Sequence, residues 1–156
     1  NVIEIPGAFA GTRYLNGHYR CALEQAVILE VEPPDAWHWG FQLSNLAWEA
    51  LDYYRRQTSI NGYQAVLDAD GIFRAVICHQ DPGVANWLDT GGREIGLISG
   101  RYFQSGSAPV PRLTTVPLQA LSDFLPAETR RVSVRERSDA LSARWRSVHR
   151  RMCSDQ

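Results

Sequence analysis

Ala36-Trp37-His38-Trp39-Gly40-Phe41-Gln42-Leu43 is the stretch on which the fold turns. Trp37, Trp39, Phe41 and Leu43 fall on one parity, and Ala36, His38, Gly40 and Gln42 on the other. Side chains alternate across a strand, so this period of two predicts a strand that buries three aromatics and presents His38 and Gln42 on its opposite face. Upstream, Leu23, Val27, Leu29 and Val31 alternate against Glu24 and Glu30, a second half-buried strand ended by Pro33-Pro34. Downstream, residues 63–67 and 72–79 flank Asp68-Ala69-Asp70-Gly71, which reads as a hairpin closed by Gly71 at positive φ. A strand over 94–103 carries Gly96 and Gly100 on one face, where another group can approach closely. Residues 112–116 read as an edge strand stopped by Pro117. Short strands broken by frequent turns predict a mainly β, antiparallel sandwich over about 12–126.

The end of the chain changes period. Ser133 and Glu136 form a capping box. Val134, Leu141, Trp145, Val148 and Met152 then recur at helical spacing, which predicts an amphipathic helix over 133–152. A lone helix of that length is marginal in water. Its stripe is therefore expected to lie against the sandwich or a partner.

The 156 residues, 44% hydrophobic and 21% charged, fit one globular domain, 1–156. No apolar run approaches the roughly 18 residues of a membrane span. All 16 basic residues are arginine; eight of them, against three acids, follow residue 129, and eight stand against fourteen acids before it. The body is acidic and the tail basic. That tail could mark a nucleic-acid arm, but the Trp-bearing stripe beside it points to a protein surface. Cys21, Cys78 and Cys153 cannot close a disulfide framework and show no CxxC spacing. Free thiols favour a reducing compartment, the cytoplasm. The chain opens at Asn1 and is expected to be the C-terminal part of a longer protein.

Two strings carry a resemblance. Trp39-Gly40-Phe41-Gln42-Leu43 with Asn45, Trp48 and the run from Arg56 to Asn61 is one. Asp81-Pro82-Gly83-Val84-Ala85-Asn86-Trp87-Leu88-Asp89-Thr90-Gly91-Gly92, closed by Arg101 and an aromatic, is the other. Together they resemble the bacterial domain-of-unknown-function family numbered 1214, often the C-terminal part of longer proteins and sometimes beside a family 1254 domain. The resemblance implies a jelly-roll-like sandwich and a basic terminal helix, and no settled activity. Gly92-Arg93 stands where members commonly carry Gly-His, so any role of that imidazole is absent or altered here.

Chemistry concentrates in the 79–94 loop. Proline biases the preceding residue to extended backbone, so His79 and Asp81, two apart, share a side. With Asp89 or Glu94 they would form an oxygen-rich site with one imidazole, suited to a divalent ion that polarises an ester or phosphoryl oxygen. The competing reading makes Asp81 the acceptor of its own turn and His79 a strand end. Arg55 or Arg56 with Thr58 and Ser59 could hold an anion, or Arg56 could tie the loop through Asp81 or Asp89. Neighbouring Cys78 and His79 point to opposite faces of a strand, and no Gly-x-Ser-x-Gly elbow, phosphate loop or dinucleotide fingerprint is present. The Asp-Ala-Asp-Gly run lacks the further ligands of a calcium loop.

The sequence therefore reads as a ligand-binding or assembly module. The expected ligand contacts are Arg56, Asn61, Asn86, Trp87 and Arg101, and no cofactor is expected. The alternative is a metal-assisted hydrolase of an ester or phosphodiester using His79, Asp81 and Asp89, with His79, Asp81 and Glu94 as the metal set. The expected partners are an upstream domain or a second copy met through the terminal helix, and a small molecule, rather than nucleic acid or membrane.

Overall fold

The computed structural model describes residues 2–6 and 10–153. Among the described residues, nine strands run in chain order: β1 (Val2–Pro6), β2 (Arg13–Arg20), β3 (Gln25–Val31), β4 (Ala36–Ser44), β5 (Ser59–Asn61), β6 (Phe73–Cys78), β7 (Trp87–Asp89), β8 (Ile95–Ser105) and β9 (Arg112–Pro117). A 3-10 turn (Leu118–Asp123) and a helix, α1 (Val134–Cys153), complete the chain. One sheet has the order β1-β2-β8-β4-β5 and the other β7-β6-β3-β9. The expected mainly β sandwich with a C-terminal helix is therefore present. Its order does not by itself establish jelly-roll winding, and it is not wholly antiparallel, because β6 and β7 pair in parallel. The first sheet begins at Val2, ahead of the expected start near residue 12.

The core lies where the two sheets face. Trp39, Phe41 and Leu43 point inward from β4, as their parity predicts. Phe41 stacks on Phe73 of the opposite sheet at 6.0 Å and 7°, and Trp39 meets the same ring edge-on at 5.1 Å. Burying one such ring contributes about 1.5–3 kcal/mol. Gly96 and Gly100 also face inward from β8. A Cβ on Gly96 would lie 2.5 Å from the Tyr19 hydroxyl, and one on Gly100 2.7 Å from the Phe41 ring. Two missing side chains on β8 thus make room for the rings of its neighbours β2 and β4.

Several expectations need correction. Trp37 is 78% exposed. The β4–β8 ladder passes from Ala36 opposite Ser105 to His38 opposite Phe103, with Gln104 between them at φ 49. The register is the same on both sides, so no residue is inserted; the left-handed Gln104, opposite Trp37, interrupts the ladder just where Trp37 would have turned inward. β3 is buried on both faces over Ala26, Val27, Ile28 and Leu29, since the 3-10 turn folds back against β3 and β9. The 63–67 arm is not a strand. The Asn61 side-chain oxygen accepts from the backbone N–H groups of Tyr63 and Gln64, turning the chain, and only a Leu67–Phe73 bridge remains. Gly71 does close the following turn, at φ 79.

The capping box of α1 forms: the Ser133 N–H donates to Glu136 Oε2 at 2.7 Å, and the Glu136 N–H to Ser133 Oγ at 3.2 Å. The apolar stripe does not dock as a unit. Val148 is buried and Leu141 half-buried, while Val134, Trp145 and Met152 are exposed. Arg137 and Arg144, which reach acceptors on the sandwich, hold the helix instead. Among the described residues no helix is long and apolar enough to cross a membrane.

Candidate functional site

The 79–94 segment is a closed polar knot. His79 donates through Nε2 to the Cys21 carbonyl at 2.8 Å, and its Nδ1 shares a hydrogen bond with the Thr90 hydroxyl at 2.9 Å, so both ring nitrogens are engaged. Asp81 accepts from the Gly83 N–H through Oδ1 and from Arg137 Nε through Oδ2, each at 2.9 Å. Asp89 is buried in β7; Arg56 donates to its Oδ2 at 2.9 Å and the Gly91 N–H to its Oδ1 at 2.8 Å. Arg56 is thus the tie between loop and sandwich. The Glu94 side chain is exposed, and only its backbone carbonyl joins the knot, accepting from the Cys21 N–H.

The expected metal set of His79, Asp81 and Glu94 does not assemble, because each polar atom that would ligate is spent on a neighbour or faces away. Among the described residues no group of three or more His, Cys, Asp or Glu could hold a metal ion. Asp68 and Asp70, the carboxylates of the calcium-like run, are taken by Arg74 at 2.8 and 2.7 Å.

Asn86 and Trp87, expected to touch ligand, are buried and structural. The Asn86 amide donates to the carbonyls of Val66 and Arg74 and accepts from the Val66 N–H. Trp87 donates from Nε1 to the Cys78 carbonyl at 3.1 Å, and its ring lies under the Arg137 guanidinium at 5.3 Å. Arg137 itself is 7% exposed and donates to Asp81, to Gln57 Oε1 at 2.9 Å and to the Val84 carbonyl. A buried guanidinium survives only when its donors are met, and here the sandwich supplies the acceptors.

Asn61 and Arg101 lie elsewhere, on the solvent face of the five-stranded sheet. Gly40 stands between them: it pairs with Arg101 on one side and Asn61 on the other. With no side chain there, the sheet dips into a tray of about 320 Å³. Tyr14 from β2, Ser99 and Arg101 from β8, His38 and Gln42 from β4, and Ser59 and Asn61 from β5 surround the dip, with Gln64 beyond. The volume falls in the range of small-ligand sites. No carboxylate lines the tray, and Arg101 makes no ion pair among the described residues; its guanidinium rests over the Phe103 ring at 5.4 Å. Asn61 and Gln64 spend their oxygens on nearby backbone N–H groups, which leaves their NH2 donors.

His38 and Gln42 were legible on this face from the β4 alternation; Tyr14 and Ser99 were missed. The outward parity of β8, opposite Gly96 and Gly100, is the signal that could have found Ser99. A second depression of about 590 Å³ runs between α1 and residues 53–64 and shares Ser59, Asn61 and Gln64 with the tray. Arg144 forms part of its wall, donating to the Ser59 carbonyl at 2.8 Å and so covering the free edge of β5. Burial lowers the pKa of this guanidinium from its ordinary value.

No family model matches the chain, and no curated protein matches it significantly. Among solved structures it is similar to an uncharacterised protein from Burkholderia cenocepacia, with a TM-score of 0.72 and 29% identity, over 76% of this chain and 35% of that one. It is also similar to a protein from Vibrio parahaemolyticus, with a TM-score of 0.54 and 15% identity, over 68% of this chain and 31% of that one. The chain thus matches about a third of the length of each.

Proposed function

We propose that this domain is a ligand-binding module whose site is the tray on the five-stranded sheet. The observation that carries the reading is a contrast in how polar groups are used. Around the 79–94 segment the side chains of His79, Asp81 and Asp89 are committed to the fold. In the tray, the side chains of Tyr14, His38, Gln42, Ser99 and Arg101 line an open concavity and make no hydrogen bond with another described residue. Unspent donors and acceptors gathered in a depression are what a binding site requires. Membership of family 1214 belongs to the same proposal. The hydrolase alternative keeps its candidates His79, Asp81 and Asp89, but their side chains are engaged by Cys21, Thr90, Arg137 and Arg56.

Amide chemical-shift mapping of the full chain with a library of small polar fragments tests the reading. Shifts should cluster on Tyr14, Gly40, Asn61, Ser99 and Arg101. Clustering on residues 79–94, or Asp81-dependent turnover of bis(p-nitrophenyl) phosphate with divalent ions, would favour the hydrolase.

An assembly role has one observation of its own. Trp145 and Met152 stay exposed on α1, and Trp145 stacks on His149 at 4.9 Å. Comparing the solution mass of the chain with that of Trp145→Asp tests it: a fall in mass supports assembly through this face.

A further inference from the structure

Resting on the tray as the binding site, we infer that its ligand is an acidic oligosaccharide, a chain of pyranose rings bearing carboxylates. Three independent features point to this chemistry. The first is charge. The body of the chain is acidic, with fourteen acids against eight arginines before residue 130, yet among the described residues no Asp or Glu lines the tray or the adjoining groove. Arg101 borders the first, and its guanidinium makes no hydrogen bond or ion pair with a described residue; Arg144 borders the second but is committed to Tyr53 and Ser59. A guanidinium without a carboxylate neighbour is arranged for an incoming anion and suits a carboxylate's two oxygens.

The second is the neutral lining. Hydroxyls and amides from Tyr14, Gln42, Ser99, Asn61 and Gln64 match a ligand whose surface is mostly hydroxyl, each group of which both donates and accepts. The third is the aromatic ledge. Opposite the left-handed Gln104, Trp37 stands out in solvent, where it meets Phe103 at 5.9 Å beside Arg101. At the other end Tyr63, 98% exposed, borders the groove. Flat exposed rings stack on the apolar faces of pyranoses, and tyrosine and tryptophan suit a surface that is half apolar and half wet. Because the tray and the groove share Ser59, Asn61 and Gln64, more than one ring can be held.

An extended peptide is disfavoured at this edge, since Arg144 already occupies the Ser59 carbonyl that strand addition would use. A single-stranded nucleic acid would also stack on the aromatics, but it calls for several open cations tracking its phosphates; Arg101 is the tray's, while in the groove Arg144 is committed to Tyr53 and Ser59 and Arg151 has an interaction of its own.

Titration of the full chain with trigalacturonate, its fully methyl-esterified form and oligothymidylate tests the inference, read by calorimetry and by amide shifts. Trigalacturonate should bind and shift the tray amides. Esterification and Arg101→Gln should each weaken binding at least tenfold, and Trp37→Ala severalfold, with thermal midpoints unchanged because both side chains are exposed. Equal binding of the ester, indifference to Arg101→Gln, tighter binding of oligothymidylate, or no binding of trigalacturonate would overturn it. If polar fragments still cluster on the tray in that event, the ligand class falls and the binding site stands; if they cluster elsewhere, both fall.

Discussion

Cys21 and Cys78 sit in the core, and burial pushes their thiols up to about 11 and about 12, with Glu24 adding to the first and Cys21 to the second. The thiolate is the reactive form, so neither is a nucleophile near neutral pH. Cys153 is exposed on the last turn of α1. Iodoacetamide at pH 8 should therefore alkylate Cys153 in the native chain and all three thiols only after unfolding, as intact mass will show; native labelling of Cys21 or Cys78 would contradict the burial. At this scale the sequence was half legible. The Asp-Pro-Gly string announces that Asp81 accepts from its own turn, and it does. The other oxygen of that carboxylate goes to Arg137, 56 residues later, and nothing local encodes so distant a partner. The burial of Asn86 and Trp87 was hidden for the same reason: a motif specifies which residues are present, while their burial depends on which strands close over them.

Between Asp68 and Gly71 the turn is held by charge. The Arg74 guanidinium, then the Ile72 N–H, hold the Asp70 carboxyl at about 2. A carboxylate with a depressed pKa stabilises its structure fully above its unfolded pKa, about 3.9, and loses that contribution as the pH falls through the folded value. Carbon NMR should find Asp70 titrating near 2, and protection of the Ile72 amide should decline between about pH 4 and 2; Asp70→Asn should remove that dependence. The helix is held otherwise. Arg137→Ala removes a guanidinium that meets Asp81, Gln57, the Val84 carbonyl and the Trp87 ring, and should cost about 3 kcal/mol in urea unfolding. A loss below about 1 kcal/mol would mean that α1 docks through Val148 alone. The element signals that worked were periodic ones: the β4 alternation, the glycines of β8, the capping box. What failed was interruption. A left-handed residue, Gln104, interrupts the ladder opposite Trp37, which stands outside, and an Asx turn erased the strand expected at 63–67. Neither follows from hydrophobic alternation: the first is a backbone conformation at a residue of another strand, the second a local side-chain hydrogen bond from Asn61.

Across the whole molecule, α1 closes what the sandwich leaves open. Removing residues 133–156 should strip Arg137 from the knot and Arg144 from the β5 edge, so that the shortened chain unfolds at lower urea and self-associates through the bared strand; an unchanged midpoint and solution mass would show that the sandwich needs no such cover. Sandwich and helix were legible from the sequence. The parallel β6–β7 pair was not, because β7 is only three residues long and lies inside a segment read as a loop. The way α1 is fastened also bears on mechanics. Its buried residues are Arg137 near one end and Val148 near the other, and neither belongs to a strand ladder. Tension applied at the C-terminus would thus meet a few side-chain attachments in succession before it reached any sheet. The helix would peel first, as a fuse that yields while the layered body behind it stays intact.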